Sequence, residues 1–314
     1  MITAQDLRGV TVATVLPFRP DFSIDWDSYG RLLEYCVRRP RMVAVFVNGH
    51  AGEAAALTPE ERVEVIRRTR ASVGASMPLM AGIVAYSTAE AVARAREAEN
   101  AGADVAVLFP FPQYSAGGGA DPRAGPDYVD AVLAETTIPL SIFQYPLRSG
   151  AGFSIEVLCR IASRTRVIAI KEGSADIAAY EDNWRALKAT APHVAVLPSN
   201  FDWFLPQLAV GADGVLSGLA SLLPDLFVEL WQAAAAEDLA AMRRANDRIY
   251  PIERAIYGAA PLMDMHTRIK VALQHLGVIR HAVPRPPLMP VTSAIAESLR
   301  AVVDASDLAS RAVL

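Results

Sequence analysis

Lys171 closes the apolar run Val167-Ile168-Ala169-Ile170 and is followed by Glu172-Gly173-Ser174. An ammonium at the end of such a run enters apolar surroundings that disfavour its charge and lower its pKa. A neutral amine there can attack a carbonyl carbon and form a Schiff base. The same spelling also suits a lysine that snorkels from a strand end into solvent. The loop Asn48-Gly49-His50-Ala51-Gly52-Glu53 offers successive backbone N–H groups and two glycines, a combination that can cradle a carboxylate or simply turn the chain. Glu53 reads as a structural hydrogen-bonder to loop amides rather than an acid catalyst. Arg148, within Tyr145-Pro146-Leu147-Arg148-Ser149-Gly150, can clamp a second carboxylate through two parallel hydrogen bonds or tie its own loop down. Ser217-Gly218 adds a fourth polar segment, and Asp213, in Gly211-Ala212-Asp213-Gly214, reads as a turn residue.

These segments share a position: each follows a short apolar run rich in β-branched residues. The runs are 9–16, 42–48, 78–84, 104–109, 139–145, 166–171, 194–198 and 213–217, and each precedes a longer stretch with helical periodicity. Near-continuous apolar content is what a parallel strand covered on both faces requires. Thr58-Pro59-Glu60-Glu61 and Ser87-Thr88-Ala89-Glu90 spell capping boxes at two helix starts. Eight β/α units predict an α/β fold, a (β/α)8 barrel over 1–236, whose reacting groups project from the C-terminal ends of the strands. A doubly wound sheet would place a Gly-rich phosphate loop after its first strand, where this chain has Val15-Leu16-Pro17-Phe18. The cluster Gly117-Gly118-Gly119 reads as a flexible loop that could act as a lid. Helical patterns at 223–236, 238–258, 264–277 and 291–304 follow the last strand; the first closes the barrel and the others form a C-terminal helical domain over 237–314.

Composition narrows the partners. With 30 Lys+Arg against 34 Asp+Glu the net charge is −4, and no basic run could neutralise a phosphate backbone, so nucleic acid is not expected. The N-terminus lacks a basic start before an apolar stretch, and no apolar run reaches the roughly 18 residues of a membrane span. A cytoplasmic protein away from the membrane is expected, with Cys36 and Cys159 as reduced core residues on amphipathic helices. The five histidines are scattered without ligand spacing, so no metal is expected.

In this order and spacing the motifs resemble the dihydrodipicolinate synthase and N-acetylneuraminate lyase family. The resemblance spans nearly the whole chain. It is carried by Pro17-Phe18, Gly49 to Glu53 with Leu57-Thr58-Pro59-Glu60-Glu61-Arg62, Gly102-Ala103-Asp104, and Ile168-Ala169-Ile170-Lys171-Glu172, then by Gly211 to Ser217, Lys270-x-Ala272-Leu273 and Arg285-Pro286-Pro287-Leu288. It implies a barrel with a C-terminal helical domain, assembled as a homotetramer or dimer, and class I chemistry in which Lys171 condenses with pyruvate or another 2-oxo acid. It further implies that the loop from Gly49 through His50 and Ala51 holds the substrate carboxylate, and that no cofactor takes part. Arg148 matches an arginine that members acting on dicarboxylic substrates place near the entrance.

The departures are equally specific. The family has Ser or Thr where His50 and Ala51 stand, and a tyrosine where Phe143 stands, in a Tyr-Asn-x-Pro motif that here reads Phe143-Gln144-Tyr145-Pro146. Its Pro-Tyr-Tyr becomes Pro110-Phe111-Pro112. Phe143 cannot carry a proton, which leaves three readings: an aldolase on a 2-oxo (sugar) acid, a dehydratase of a 3-deoxy-2-oxo sugar acid on the same enamine, and a 2-oxo acid binding protein without turnover. For catalysis, His50 and Tyr145 are the candidate proton carriers. Residues 143 and 145 share one side of a strand, and an ordinary imidazole titrates near 6.5. Against this, Tyr145 could merely pack and His50 merely donate a hydrogen bond to the substrate.

Overall fold

The computed structural model describes residues 2–38, 42–116, 118, 121–199 and 203–308. Gly117 and Gly119 of the suggested lid lie outside the described residues.

The eight apolar runs form eight strands: β1 (Val10–Ala13), β2 (Met42–Val47), β3 (Leu79–Ile83), β4 (Val105–Leu108), β5 (Leu140–Gln144), β6 (Val167–Glu172), β7 (Ala195–Pro198) and β8 (Val215–Ser217). Almost every strand residue is buried, as a sheet covered on both faces demands. The strands pair in parallel in the order β7-β6-β5-β4-β3-β2-β1-β8. One helix follows each strand: α1 (Trp26–Val37), α2 (Pro59–Val73), α3 (Thr88–Ala101), α4 (Ala124–Glu135), α5 (Ile155–Ala162), α6 (Ile177–Thr190), α7 (Phe204–Val210) and α8 (Pro224–Ala235). The predicted (β/α)8 barrel is therefore the architecture observed.

The seam between β7 and β8 is closed by a residue read from sequence as a turn. The amide of Asp213 donates to the Val196 carbonyl at 3.0 Å, and its carboxylate accepts from the Val196 amide at 2.9 Å while pairing with Lys188. Asp213 thus substitutes for a ladder rung where the strands diverge. Strand ends also differ from expectation. β5 stops at Gln144 because the side-chain amide of Gln144 takes both the N–H and the C=O of Phe153, at 3.1 and 2.7 Å, and so pins the following loop.

The capping box at Thr58 closes in both directions, whereas the one at Ser87 closes in one: Ser87 accepts from the Glu90 amide, but the Glu90 carboxylate turns to the Tyr86 amide. Past α8 come α9 (Leu239–Tyr257), α10 (Met265–His275) and α11 (Ser293–Asp304). Arg268 of α10 is fully buried and donates to the carbonyls of Ile256, Ala259 and Pro261, which locks the turn from α9 into α10. At the rim of the barrel, a Cβ on Gly82 would lie 2.1 Å from the Asn48 carbonyl oxygen, so only glycine lets β3 admit the loop that leaves β2. No helix among the described residues is long and apolar enough to cross a membrane.

Candidate active site

At the C-terminal end of the strands, side chains of Lys171, His50, Phe143, Ser217 and His266, with Gly218, surround a cavity of about 40 Å³. Lys171 is 7% exposed and makes no hydrogen bond or ion pair among the described residues. Strand alternation explains the missing anion. The neighbouring Glu172 is fully buried but points to the opposite face of β6, where it accepts from Asn183, from the Ser174 amide and from the Ser174 hydroxyl. The Lys171 amine lies 3.0 Å from the centre of the Phe143 ring. A ring face favours an ammonium by about 0.5–2 kcal/mol, yet burial without an anion disfavours it more. Burial wins, and the amine is held well below its ordinary 10.5.

Two residues of the loop after β2, His50 and Ala51, line this cavity. The amides of His50, Ala51 and Gly52 donate to no acceptor among the described residues, while the Gly49 and His50 carbonyls accept from Ala54 and Glu53 and hold the turn. Successive free amides are what a concave anion cradle requires. Glu53, expected to bond loop amides, instead reaches the C-terminal helices. It forms a buried ion pair with Lys270 of α10 and accepts from the Arg285 amide at 2.8 Å. The difference has a plain cause: a buried carboxylate is stable only beside a cation, and the barrel loop supplies none.

The Tyr145 hydroxyl lies 2.9 Å from Nε2 of His50. The rings of residues 143 and 145 are 4.5 Å apart, on one side of the chain as expected, and Phe109 packs edge-on against His50. The imidazole was expected to titrate near neutrality. Its crowding by these rings, together with the nearby Lys171, lowers its pKa toward about 4, although solvent at the exposed outer edge of the ring tempers the effect. Burial raises the Tyr145 phenol. Ser217 is buried and its hydroxyl accepts from the Leu219 amide. Arg148 stands apart from the cavity, exposed on the rim, and donates to the Ala175 carbonyl at 3.2 Å.

Of the lining residues that the sequence reading did not name, two come from outside the barrel: His266 of α10 and Tyr257 at the end of α9. A signal for His266 was present. It precedes Lys270 by four residues, one helical turn, and so shares its face. His266 is 7% exposed, and burial, with nearby positive groups, lowers its pKa to about 3. No group of His, Cys, Asp or Glu among the described residues is arranged to hold a metal ion.

A profile of the "Dihydrodipicolinate synthetase family" matches residues 6–306. The chain belongs to that family. The 4-hydroxy-tetrahydrodipicolinate synthase of Chlorobium phaeovibrioides is 32% identical over 289 residues, covering 92% of this chain and 93% of that one. Its counterpart in Archaeoglobus fulgidus is 30% identical over 307 residues, covering 96% and 99%. The dihydrodipicolinate synthase of Thermotoga maritima superposes with a TM-score of 0.84 at 26% identity, covering 96% of this chain and 99% of that one. The chain is accordingly an enzyme of the lyase type that this family comprises.

Proposed function

We propose that the chain is a class I lyase in which Lys171 condenses with pyruvate or another 2-oxo acid and makes or breaks a C–C bond on a 2-oxo (sugar) acid. The observation that carries this reading is a buried amine without an anion, facing a cavity beside three unused amides. The neutral amine attacks C2 of the 2-oxo acid and water leaves, giving an imine. The amides of residues 50–52 receive the carboxylate. In the cleavage direction the C3–C4 bond breaks, its electron pair enters the imine system as an enamine, and the C4 hydroxyl loses its proton as the aldehyde forms. Protonation of C3 and hydrolysis then release pyruvate.

Phe143 takes no part in these proton transfers. The His50–Tyr145 pair is the proposed carrier, with the phenol, one hydrogen bond from the imidazole, able to pass a proton through it. His50→Ala and Tyr145→Phe should each slow turnover by about 10²–10⁴-fold while leaving imine formation on Lys171 intact. Arg148 is proposed to favour substrates with a distant carboxylate. The relatives are named as 4-hydroxy-tetrahydrodipicolinate synthases; with phenylalanine at 143, this chain's cleavage substrate is instead proposed among 4-hydroxy-2-oxo acids, an aldehyde being the partner of pyruvate in the reverse direction. The barrel over 1–236, the helical domain over 237–314, cytoplasmic location and homo-oligomeric assembly complete the proposal.

The test is product analysis with a panel of 4-hydroxy-2-oxo and 3-deoxy-2-oxo sugar acids. Pyruvate plus an aldehyde supports the aldolase. A dehydrated 2-oxo acid makes the protein a dehydratase on the same enamine, and turnover of none makes it a binding protein.

A further inference from the structure

His266 stands on a helix outside the barrel, yet its ring lines the cavity of Lys171. It is more than nine-tenths buried, and its ring nitrogens form no hydrogen bond among the described residues. A Cβ on Gly218 would sit 3.6 Å from Nε2 of His266 and 3.5 Å from Cβ of Ala51, so the imidazole and Ala51 flank one gap that this glycine keeps open. Neither ring nitrogen is among the fully enclosed, unpartnered side-chain atoms of the described residues, so the imidazole is open to the cavity, where a polar ligand group can pair with it. The surroundings of the gap decide the ligand's charge. No Asp or Glu lines the cavity, and two of its lining residues, His50 and Ala51, carry amides that donate to no acceptor among the described residues. His50 is already engaged by Tyr145, and Ala51 brings no side-chain donor.

The imidazole is also fixed relative to those amides. Lys270, one turn further along α10, is buried against Glu53, the residue that ends the same loop, and it donates to the Val283 carbonyl at 3.0 Å. The turn before α10 is locked by Arg268. The Lys270–Glu53 pair therefore ties the helix that carries His266 to the loop that carries His50 and Ala51.

We propose that His266 is a substrate-binding residue whose Nε2–H donates to the carboxylate of the 2-oxo acid on Lys171, beside the amides of residues 50–52, so that the C-terminal helices complete the site. This role rests on Schiff-base chemistry at Lys171, and the test separates the two. Trapping with borohydride is followed as a function of concentration for pyruvate and for its neutral methyl ester, each variant being compared with the parent for the same probe. His266→Ala should raise the half-saturating pyruvate concentration tenfold or more, the scale of one hydrogen bond to a charged group, and leave the ester within about twofold. His266→Gln, which keeps an N–H donor, should recover part of the loss. Equal losses for both probes, or none for either, would overturn the assignment and leave Lys171 chemistry standing. Absence of trapping in the parent would overturn both.

Discussion

Two lysines lie buried near the mouth of this barrel, and their surroundings differ in one respect. Lys270 is fully buried, but Glu53 pairs with it, the Val283 carbonyl accepts from it, and the Phe18 ring faces it at 4.4 Å. Lys171 is buried beside a ring face with no anion at all. Burial lowers both, Lys270 only to about 8 because Glu53 opposes the desolvation, Lys171 well below 10.5 with nothing to oppose it. At neutral pH Lys270 keeps its charge and ties two parts of the chain together, whereas burial with no anion shifts Lys171 toward the neutral amine. Burial does not by itself make a lysine a nucleophile; burial without a counter-ion does.

Substitution should separate the two roles cleanly. Lys171→Ala is expected to abolish turnover, by on the order of 10⁴–10⁶-fold, as removal of a covalent nucleophile does. Lys171→Met should at the same time raise the melting temperature, because it removes an uncompensated desolvation. Lys270→Met is expected to do the opposite to stability. It strands Glu53 in the interior and should cost about 3–5 kcal/mol in denaturant unfolding, and adding Glu53→Gln should recover most of that loss. A Lys270→Met variant as stable as the parent would remove the contrast.

The contrast also has a pH signature. For an ordinary lysine the free amine falls about tenfold for each pH unit below 10.5. Imine formation on Lys171 should instead begin to decline only at a clearly lower pH, and a tenfold-per-unit decline that starts at 10.5 would place Lys171 among ordinary lysines. A smaller effect concerns His266, whose folded pKa of about 3 lies below the ordinary 6.5. The unfolded chain then takes up the proton first. Stability from this group is complete above about 6.5 and is lost as the pH falls toward 3. The melting temperature of His266→Asn should decline less steeply than the parent's over that interval.

The barrel was legible because its signal is local. Alternating apolar runs and capped helices repeat along the chain, and each polar cluster after a strand had to lie on the same rim. Lys171, His50 and Ser217 meet in the structure for that reason. The hidden features depend on partners remote in sequence. Glu53 and Lys270 are 217 residues apart, and neither residue type announces the other. His266 reaches the cavity only because α10 folds back over the barrel, a placement no strand-end rule contains. Asp213 spelled a turn, and its role as a rung across the seam required β7 beside it. Strand ends drifted for a similar reason: a ladder stops where its neighbour or a side chain such as Gln144 intervenes.

The difference between the two lysines is tested most directly by reducing the protein with borohydride in the presence of pyruvate and mapping the modified peptide. A single adduct on Lys171, absent from Lys171→Ala, with Lys270 unmodified, is the expected result. An adduct on Lys270, or one that persists in Lys171→Ala, would contradict it.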